Sequence, residues 1–450
     1  PVPTEPPTTE TPATETPVPT ETPADDTPML PFGVYHILTG DGAHVVSMNA
    51  MNKFVLDDPV ETRSRFTLMT KTVEVKGESK KYYAIYKGED TRQTIGISNL
   101  LPENCRLMLQ GSGYNPGKKE LWTLEDNGDG TVRIVPKESL EAKPICLAVK
   151  GNEVLMAARD ENDPNQKFIV EKAPQNPSYR EYAAAGGNIV VRVHKSFFTK
   201  STGITDEFMQ QFADFFQEAY EAEIELTGFV PYDLIVVSGW ESLDYVAGVS
   251  DNYNVINANR GFMQSEMSNS VFRKKNLDIF DLSFGLLHEL GHMFDSNRGW
   301  NFESEAWTDL KLCYVIWRLT QKHKDTDGVV FGCASADYGA STCFTYETMA
   351  EGLDIHKNKG AMVTVYGFFA AARLFLLMAY DFGWDPFIKT FHWYQDNNFT
   401  AASFDRWTRF TTFVERLSEY SGKDIKTEYL TEENWEIFRA YYNNETTEVV

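Results

Sequence analysis

From Met29 to about Pro174 apolar and polar positions alternate in short runs, punctuated by Gly, Asn, Asp and Pro. Alternation with a period of two puts every second side chain on one face of a strand, so this stretch reads as all-β. After Gln175 to Tyr182 the pattern changes. Asn188 to Val193 reads as a strand, Asp206 to Leu226 as a helix rich in Phe, Ala and Glu, and Tyr232 to Val237 as a buried strand. Tyr253 to Phe262 reads as a further, exposed edge strand, and from Asp281 onward helical periodicity dominates to the C-terminus.

Three approximate repeats run through the all-β stretch. They open at Tyr35-His36-Ile37, Tyr83-Ala84-Ile85 and Val132-Arg133-Ile134, starts that lie 48 and 49 residues apart. They close on Phe66-Thr67-Leu68, Trp122-Thr123-Leu124 and Phe168-Ile169-Val170, each an aromatic followed by an alternating aliphatic. Threefold repetition of this length predicts a β-trefoil. Through Cys146-Leu147-Ala148-Val149 and Asn165-Gln166-Lys167-Phe168 the segment 30–173 resembles ricin-B-type lectin modules. In those lectins the position of Ala148 commonly carries a sugar-binding aspartate, which neither Ser47 nor Gly96 restores in the other repeats. The resemblance therefore leaves two roles open, glycan binding and packing against the next domain.

Residues 1–28 hold nine Pro, nine Thr, four Glu and two Asp without a Lys or Arg, a composition that cannot bury enough apolar area to fold. They read as an extended stalk of the kind found outside the cell, open to O-glycosylation, with any signal peptide removed ahead of it. The expected organisation is a stalk at 1–28, a trefoil module at 29–174 and a third unit at 175–450. That unit divides into an α/β lobe at about 180–295 and a helical lobe at about 296–450. A formal charge of −23 argues against a nucleic-acid partner, since a phosphate backbone would be repelled. The most apolar stretch, Phe368 to Tyr380, is interrupted by Arg373 and too short to span a bilayer. A monomer is expected. The five cysteines form no C-x-x-C pair; Cys333 and Cys343 could close a short loop.

The chemistry concentrates at His288-Glu289-Leu290-Gly291-His292. Two imidazoles four residues apart share one helical face and can reach one metal ion. Phe284, Leu287, Leu290 and Phe294 supply an apolar stripe, with Asp281 or Ser283 as N-cap, so the motif is expected on a buried helix. A catalytic zinc takes three protein ligands and keeps a position for water. Glu303 and Glu305 follow His292 by 11 and 13 residues. Glu305 is preferred because it opens a helical segment, Glu305 to Leu319, whose face Ala306, Leu310, Cys313 and Trp317 would bury against the first helix. Asp309, one turn on, is placed to accept from the free nitrogen of a ligand histidine, His288. Glu289 is then the general base, and the reaction class is zinc-assisted hydrolysis of an amide. For a second electrophile the chain offers His356, Tyr338, Tyr346 and Tyr366, with no basis for choosing among them.

The combination of H-E-L-G-H, Glu305-Ala306-Trp307-Thr308-Asp309 and Phe382-Gly383-Trp384-Asp385-Pro386-Phe387 resembles the enhancin-like, mucin-targeting zinc metallopeptidases of the gluzincin group, over roughly Arg180 to Tyr442. That family often carries Asn where this chain has Asp309. The resemblance implies a multidomain protein in which the β-trefoil-like module precedes an α+β metallopeptidase domain with a mainly helical C-terminal lobe. It implies one zinc ion and a secreted or cell-surface enzyme that cleaves O-glycosylated, mucin-like proteins. Trp300 and the segment Asn257-Ala258-Asn259 are the expected substrate contacts, the latter by strand addition at an open edge. Two rivals stand beside this reading: a glycan-binding adhesin with an inactive peptidase fold, and a general zinc peptidase indifferent to glycans.

Overall fold

The structure is a computed structural model of the 450-residue chain. It describes residues 30–443 apart from 59–63, 76–77, 89–92, 111–117, 175, 200–202, 241–246, 250–253, 268–278, 296–297, 335–342, 352–367 and 431. The stalk, His356, Tyr338 and Tyr366 lie outside the described residues.

Twelve strands form the N-terminal sheet, four to a repeat. The first and fourth strands of each repeat are β1 (Gly33–Thr39) and β4 (Phe66–Val75), β5 (Glu78–Lys87) and β8 (Leu121–Asp126), β9 (Val132–Pro136) and β12 (Phe168–Lys172). These six close a ring in the order β1-β4-β5-β8-β9-β12 and back to β1. The middle strands are the hairpins β2 (Val45–Met48) with β3 (Phe54–Asp57), β6 (Thr94–Ile97) with β7 (Leu107–Gln110), and β10 (Ile145–Lys150) with β11 (Glu153–Ala158). A six-strand barrel capped by three hairpins is the β-trefoil architecture. The repeat openings lie on β1, β5 and β9 and the closings on β4, β8 and β12, and their Tyr35, Tyr83, Phe66, Trp122 and Phe168 rings fill the barrel. Ser47 and Ala148 are buried.

The second unit opens on a five-stranded sheet ordered β13 (Tyr179–Ala183), β14 (Ile189–His194), β15 (Ile235–Trp240), β17 (Val255–Asn259) and β16 (Ala247–Gly248). Parallel pairing of β14 with β15 is made through a crossover that contains α1 (Asp206–Thr227). Thr205 caps that helix and Gly228, at φ 68°, ends it. Strand alternation divides the sheet's faces. Ile189, Val191, Val193, Val237 and Ile256 meet α1 through Phe212 and Phe216 in the main core. Val236 and Val255 point the other way and pack on Met69, Ala84, Tyr86 and Leu121 of the trefoil, flanked by an ion pair from Lys81 to Asp233.

Two sequence expectations need correction here. Val255–Asn259 is not an exposed edge, because β17 pairs in parallel with β15 and antiparallel with β16, and the chain turns into α2 (Arg260–Met267) where the strand was expected to continue. Four of the five β17 residues are buried because the strand lies inside the sheet. The second correction concerns the helix of Glu305, which extends as α4 (Ser304–His323) and is buried on nearly every side rather than along one face. It touches α1, α3 (Phe284–Met293), α6 (Phe368–Phe382) and β19 (Val330–Ala334), so Trp317 stacks toward Tyr314, Tyr346 and Trp384 instead of α3.

The helical part continues through α5 (Tyr346–Glu351), α6, α7 (Asp385–Asp396), α8 (Arg406–Ser421), α9 (Ile425–Glu428) and α10 (Glu432–Tyr442). A small sheet of β18 (Ile279–Asp281), β19 and β20 (Cys343–Thr345) interrupts it. Gly383, at φ 84°, makes the tight turn from α6 to α7, a backbone region open to Gly at no steric cost. Among the described residues no helix is long and apolar enough to cross a membrane.

Candidate metal centre

The H-E-L-G-H motif lies on α3. Ser283 is the N-cap, holding φ 66° and accepting from the Leu286 amide. Glu266 of α2, itself buried, accepts from the Gly285 amide at 2.9 Å, so a carboxylate sits at the positive end of the helix. Sequence reasoning missed Glu266, which sits among polar neighbours, Gln264 and Ser265, and carries no local signal of burial.

Gly291 explains how α3 and α4 approach closely enough for side chains of both to converge. A Cβ at Gly291 would stand 3.0 Å from Thr308 Cα and 3.1 Å from Thr308 Cβ, and the first of these atoms is backbone that cannot swing aside. Gly291→Leu is expected to force the helices apart, costing roughly 1–3 kcal/mol of overpacking and lowering metal content per chain; calorimetry and metal analysis of the purified variant would check both.

Across that crossing three side chains converge. His288 Nε2 lies 3.1 Å from His292 Nε2 and 3.0 Å from Glu305 Oε2, and Glu305 Oε1 lies 3.5 Å from His292 Nε2. One ligand atom from each falls within 4.8 Å of the others, the spacing that one ion can bridge. The outer nitrogens are held as well. Asp309 Oδ1 is 2.9 Å and Thr308 Oγ1 3.0 Å from His288 Nδ1, while Ser304 Oγ is 3.0 Å from His292 Nδ1. An acceptor at Asp309 puts the His288 proton on Nδ1 and leaves the Nε2 lone pair facing inward. Ser304 was missed by the sequence reading, although its place immediately before Glu305 at the start of a helix was a signal.

The electrostatics suit a cation. Burial disfavours a charged His288, yet the hydrogen bonds it donates to Asp309 and Glu305 outweigh it and hold its pKa up to about 10. Those hydrogen bonds with His288 and His292 also hold the Glu305 carboxyl far below the usual carboxylate range. The two Nε2 atoms stand 3.1 Å apart, and a cation between them would take the place of the proton that His288 holds, stabilised by the same carboxylates. The donor set of two imidazoles and a carboxylate fits a divalent ion of borderline softness. Glu305 is 44% exposed, so the centre opens to solvent on that side.

Glu289 projects from the same helix and is raised above its ordinary pKa by burial, with His292 and His288 opposing; the Val249 amide donates to it. Glu303 is committed elsewhere. Its carboxylate pairs with Arg406 at 2.8 Å and accepts from the Tyr441 hydroxyl at 2.9 Å, which turns it away from the histidines. Metal analysis should therefore show a far larger loss of bound metal in Glu305→Ala than in Glu303→Ala.

The expected substrate contacts, and Tyr346 as the described candidate for a second electrophile, are not gathered at the centre. Trp300 is fully buried: its indole donates to Asp295 Oδ1 at 3.0 Å and packs edge-on against Phe391 and Tyr394, so its role is to pin the loop ahead of Glu305. Asn257 is buried inside the sheet, and Asn259 Oδ1 accepts from the Gly261 amide at the start of α2. Tyr346 is buried against Trp317, Tyr380 and Trp384, with its hydroxyl pushed well above the ordinary range by burial. Cys105, Cys146 and Cys313 are buried thiols.

The family model described as Peptidase M60, enhancin and enhancin-like matches residues 184–431, more than half of the chain. The chain belongs to this family. As an enhancin-like protein it is a metallopeptidase, and the match spans the whole of the centre described above. Comparison with curated proteins by sequence gives no match. Among solved structures, the designed threefold-symmetric protein ThreeFoil matches with a TM-score of 0.25 and 14% identity, over 31% of this chain and 99% of that one. A functionally unknown conserved protein from Bacillus anthracis str. Ames matches with a TM-score of 0.42 and 11% identity, over 79% of this chain and 69% of that one. An endo-β-galactosidase from Clostridium perfringens that releases GlcNAcα1-4Gal matches with a TM-score of 0.25 and 11% identity; the alignment covers 32% of this chain and 33% of that one.

Proposed function

We propose that this protein is a secreted or cell-surface zinc endopeptidase that hydrolyses peptide bonds in O-glycosylated, mucin-like proteins. The observation that carries the reading is the convergence of His288, His292 and Glu305 beside Glu289 on a solvent-open face. Family membership supports peptide hydrolysis and a glycoprotein substrate. In this organisation 1–28 is a stalk, 29–174 the trefoil and 175–450 the peptidase.

His288, His292 and Glu305 would hold the zinc. A zinc ion there supplies Lewis acidity, which makes water a better nucleophile near neutral pH and polarises a peptide carbonyl. Glu289, half-buried beside the histidines, takes a proton from the attacking water and returns it to the departing amide nitrogen. Asp309 fixes the tautomer and ring plane of His288, and Ser304 holds the ring plane of His292. Glu305 completes the donor set from the first turn of α4, whose entry loop is pinned by Trp300 and Asp295.

Mucin and the same polypeptide stripped of O-glycans separate the substrate classes. Mass spectrometry of the fragments is expected to show cuts in the glycosylated form alone, and equal cleavage of both would replace this reading with a general peptidase. An adhesin with an inactive fold would cut neither.

A further inference from the structure

Between the trefoil and the open face of the five-stranded sheet lies a cleft of about 450 Å³. Its floor is formed by two arginines, Arg65 from the trefoil and Arg192 from β14, which are 4% and 2% exposed. Lys172 and Glu181 stand at the exposed rim. The guanidinium of Arg192 lies 5.3 Å from the Tyr179 ring and 5.9 Å from the Phe32 ring, and its Nε is 3.4 Å from Glu181 Oε1. Among the described lining residues three cations stand against one carboxylate, a positive concavity in a chain whose formal charge is −23.

We propose that the cleft binds an acidic sugar residue, one carrying a carboxylate or a sulfate. An arginine fork matches either group in two parallel hydrogen bonds, and low exposure strengthens them. Aliphatic walls from Val34, Val190 and Ala173 beside the aromatic rim give the mixed polarity of a small-molecule site, and the volume falls within the range such sites occupy. The apolar contact of Val236 and Val255 with Met69, Ala84, Tyr86 and Leu121 fixes the two walls relative to one another, so the cations are positioned before a ligand arrives. The choice of a sugar over another acid of this size rests on the glycoprotein reading above. Neither unit holds the site alone, which gives the trefoil a role in recognition that does not need the aspartate absent at Ala148.

The test uses the full wild-type chain, since free sugars offer no peptide bond for it to cut. Calorimetric titration compares sialyllactose, a glucuronate disaccharide, sulfated galactose and lactose. At least one acidic probe is expected to bind about tenfold or more tightly than lactose and to weaken as salt rises. Which acidic probe binds distinguishes carboxylate from sulfate. Lys172→Glu, a change at an exposed position, is expected to weaken that probe by about tenfold with the melting temperature unchanged, and Arg192→Met to abolish binding. Equal binding of acidic and neutral probes, no binding at all, or acidic binding that survives Lys172→Glu overturns the proposal. Mucin cleavage by the wild-type chain is measured alongside: acidic binding without cleavage defeats the peptidase reading alone, and cleavage without acidic binding defeats this proposal alone.

Discussion

Glu289→Gln is expected to lower peptide hydrolysis by about 10²–10⁴-fold while metal content stays at the wild-type level. The expectation follows from where the carboxylate stands. It shares α3 with His288 and His292, one residue after the first and three before the second, yet the three atoms that converge as candidate metal ligands come from His288, His292 and Glu305. Replacing one carboxylate oxygen by an amide nitrogen keeps the volume and removes the lone pair that accepts the proton. The surroundings already favour a base that holds a proton readily, since burial raises Glu289 while the two histidines pull it down. Single-turnover hydrolysis of a fluorogenic glycopeptide, with metal counted in the same sample, separates the two roles. Activity within tenfold of wild type at full metal content would remove Glu289 from the mechanism, whereas a matching loss of metal would make it a structural support.

The helix carrying that residue was legible because its signals are local. Four-residue spacing of imidazoles, an apolar stripe and a Ser at the cap are all set within about ten residues, where period and capping dominate. Glu305 and Asp309 were legible for the same reason, lying one turn apart on a single helix. The trefoil was readable because threefold repetition repeats the same barrel contacts, with Tyr35 and Tyr83 at matching openings and Phe66, Trp122 and Phe168 at matching closings.

What stayed hidden depends on tertiary partners. Trp300 looks like a substrate contact from its position before Glu305, and only the packing of Phe391 and Tyr394, more than 90 residues away, makes it a core residue. Val255–Asn259 has the pattern of an exposed strand until β16, a two-residue strand with no signal of its own, covers its edge. No local pattern marks Lys311 and Glu223 as interior, and burial of α4 on nearly all sides places both there.

That interior pair carries the second large effect. Lys311 Nζ meets Asp295 Oδ1 at 2.5 Å with both side chains at most 1% exposed, and Trp300 donates to the same oxygen. Glu223 is fully buried near them, pushed up to about 8 by burial, with Lys311 opposing and Asp295 adding. One ammonium thus serves two carboxyls, and the fold settles the balance by keeping Glu223 protonated at neutral pH. Lys311→Met leaves Asp295 charged and uncompensated, and is expected to cost about 3–5 kcal/mol. Linkage gives the pH dependence: in the unfolded chain Glu223 ionises near its ordinary pKa, so its contribution is complete below about 4.5 and is lost as pH rises through about 8. Glu223→Gln keeps the uncharged, protonated shape at every pH. Urea unfolding at pH 5, 6.5 and 8 should find the variant close to wild type at the lowest value and more stable by a few kcal/mol at the highest. Parallel pH profiles for the two proteins would show that Glu223 is ionised in the fold. Because Asp295 and Trp300 also pin the loop that delivers Glu305, Lys311→Met should release metal at a lower urea concentration than wild type, well outside the centre it never touches.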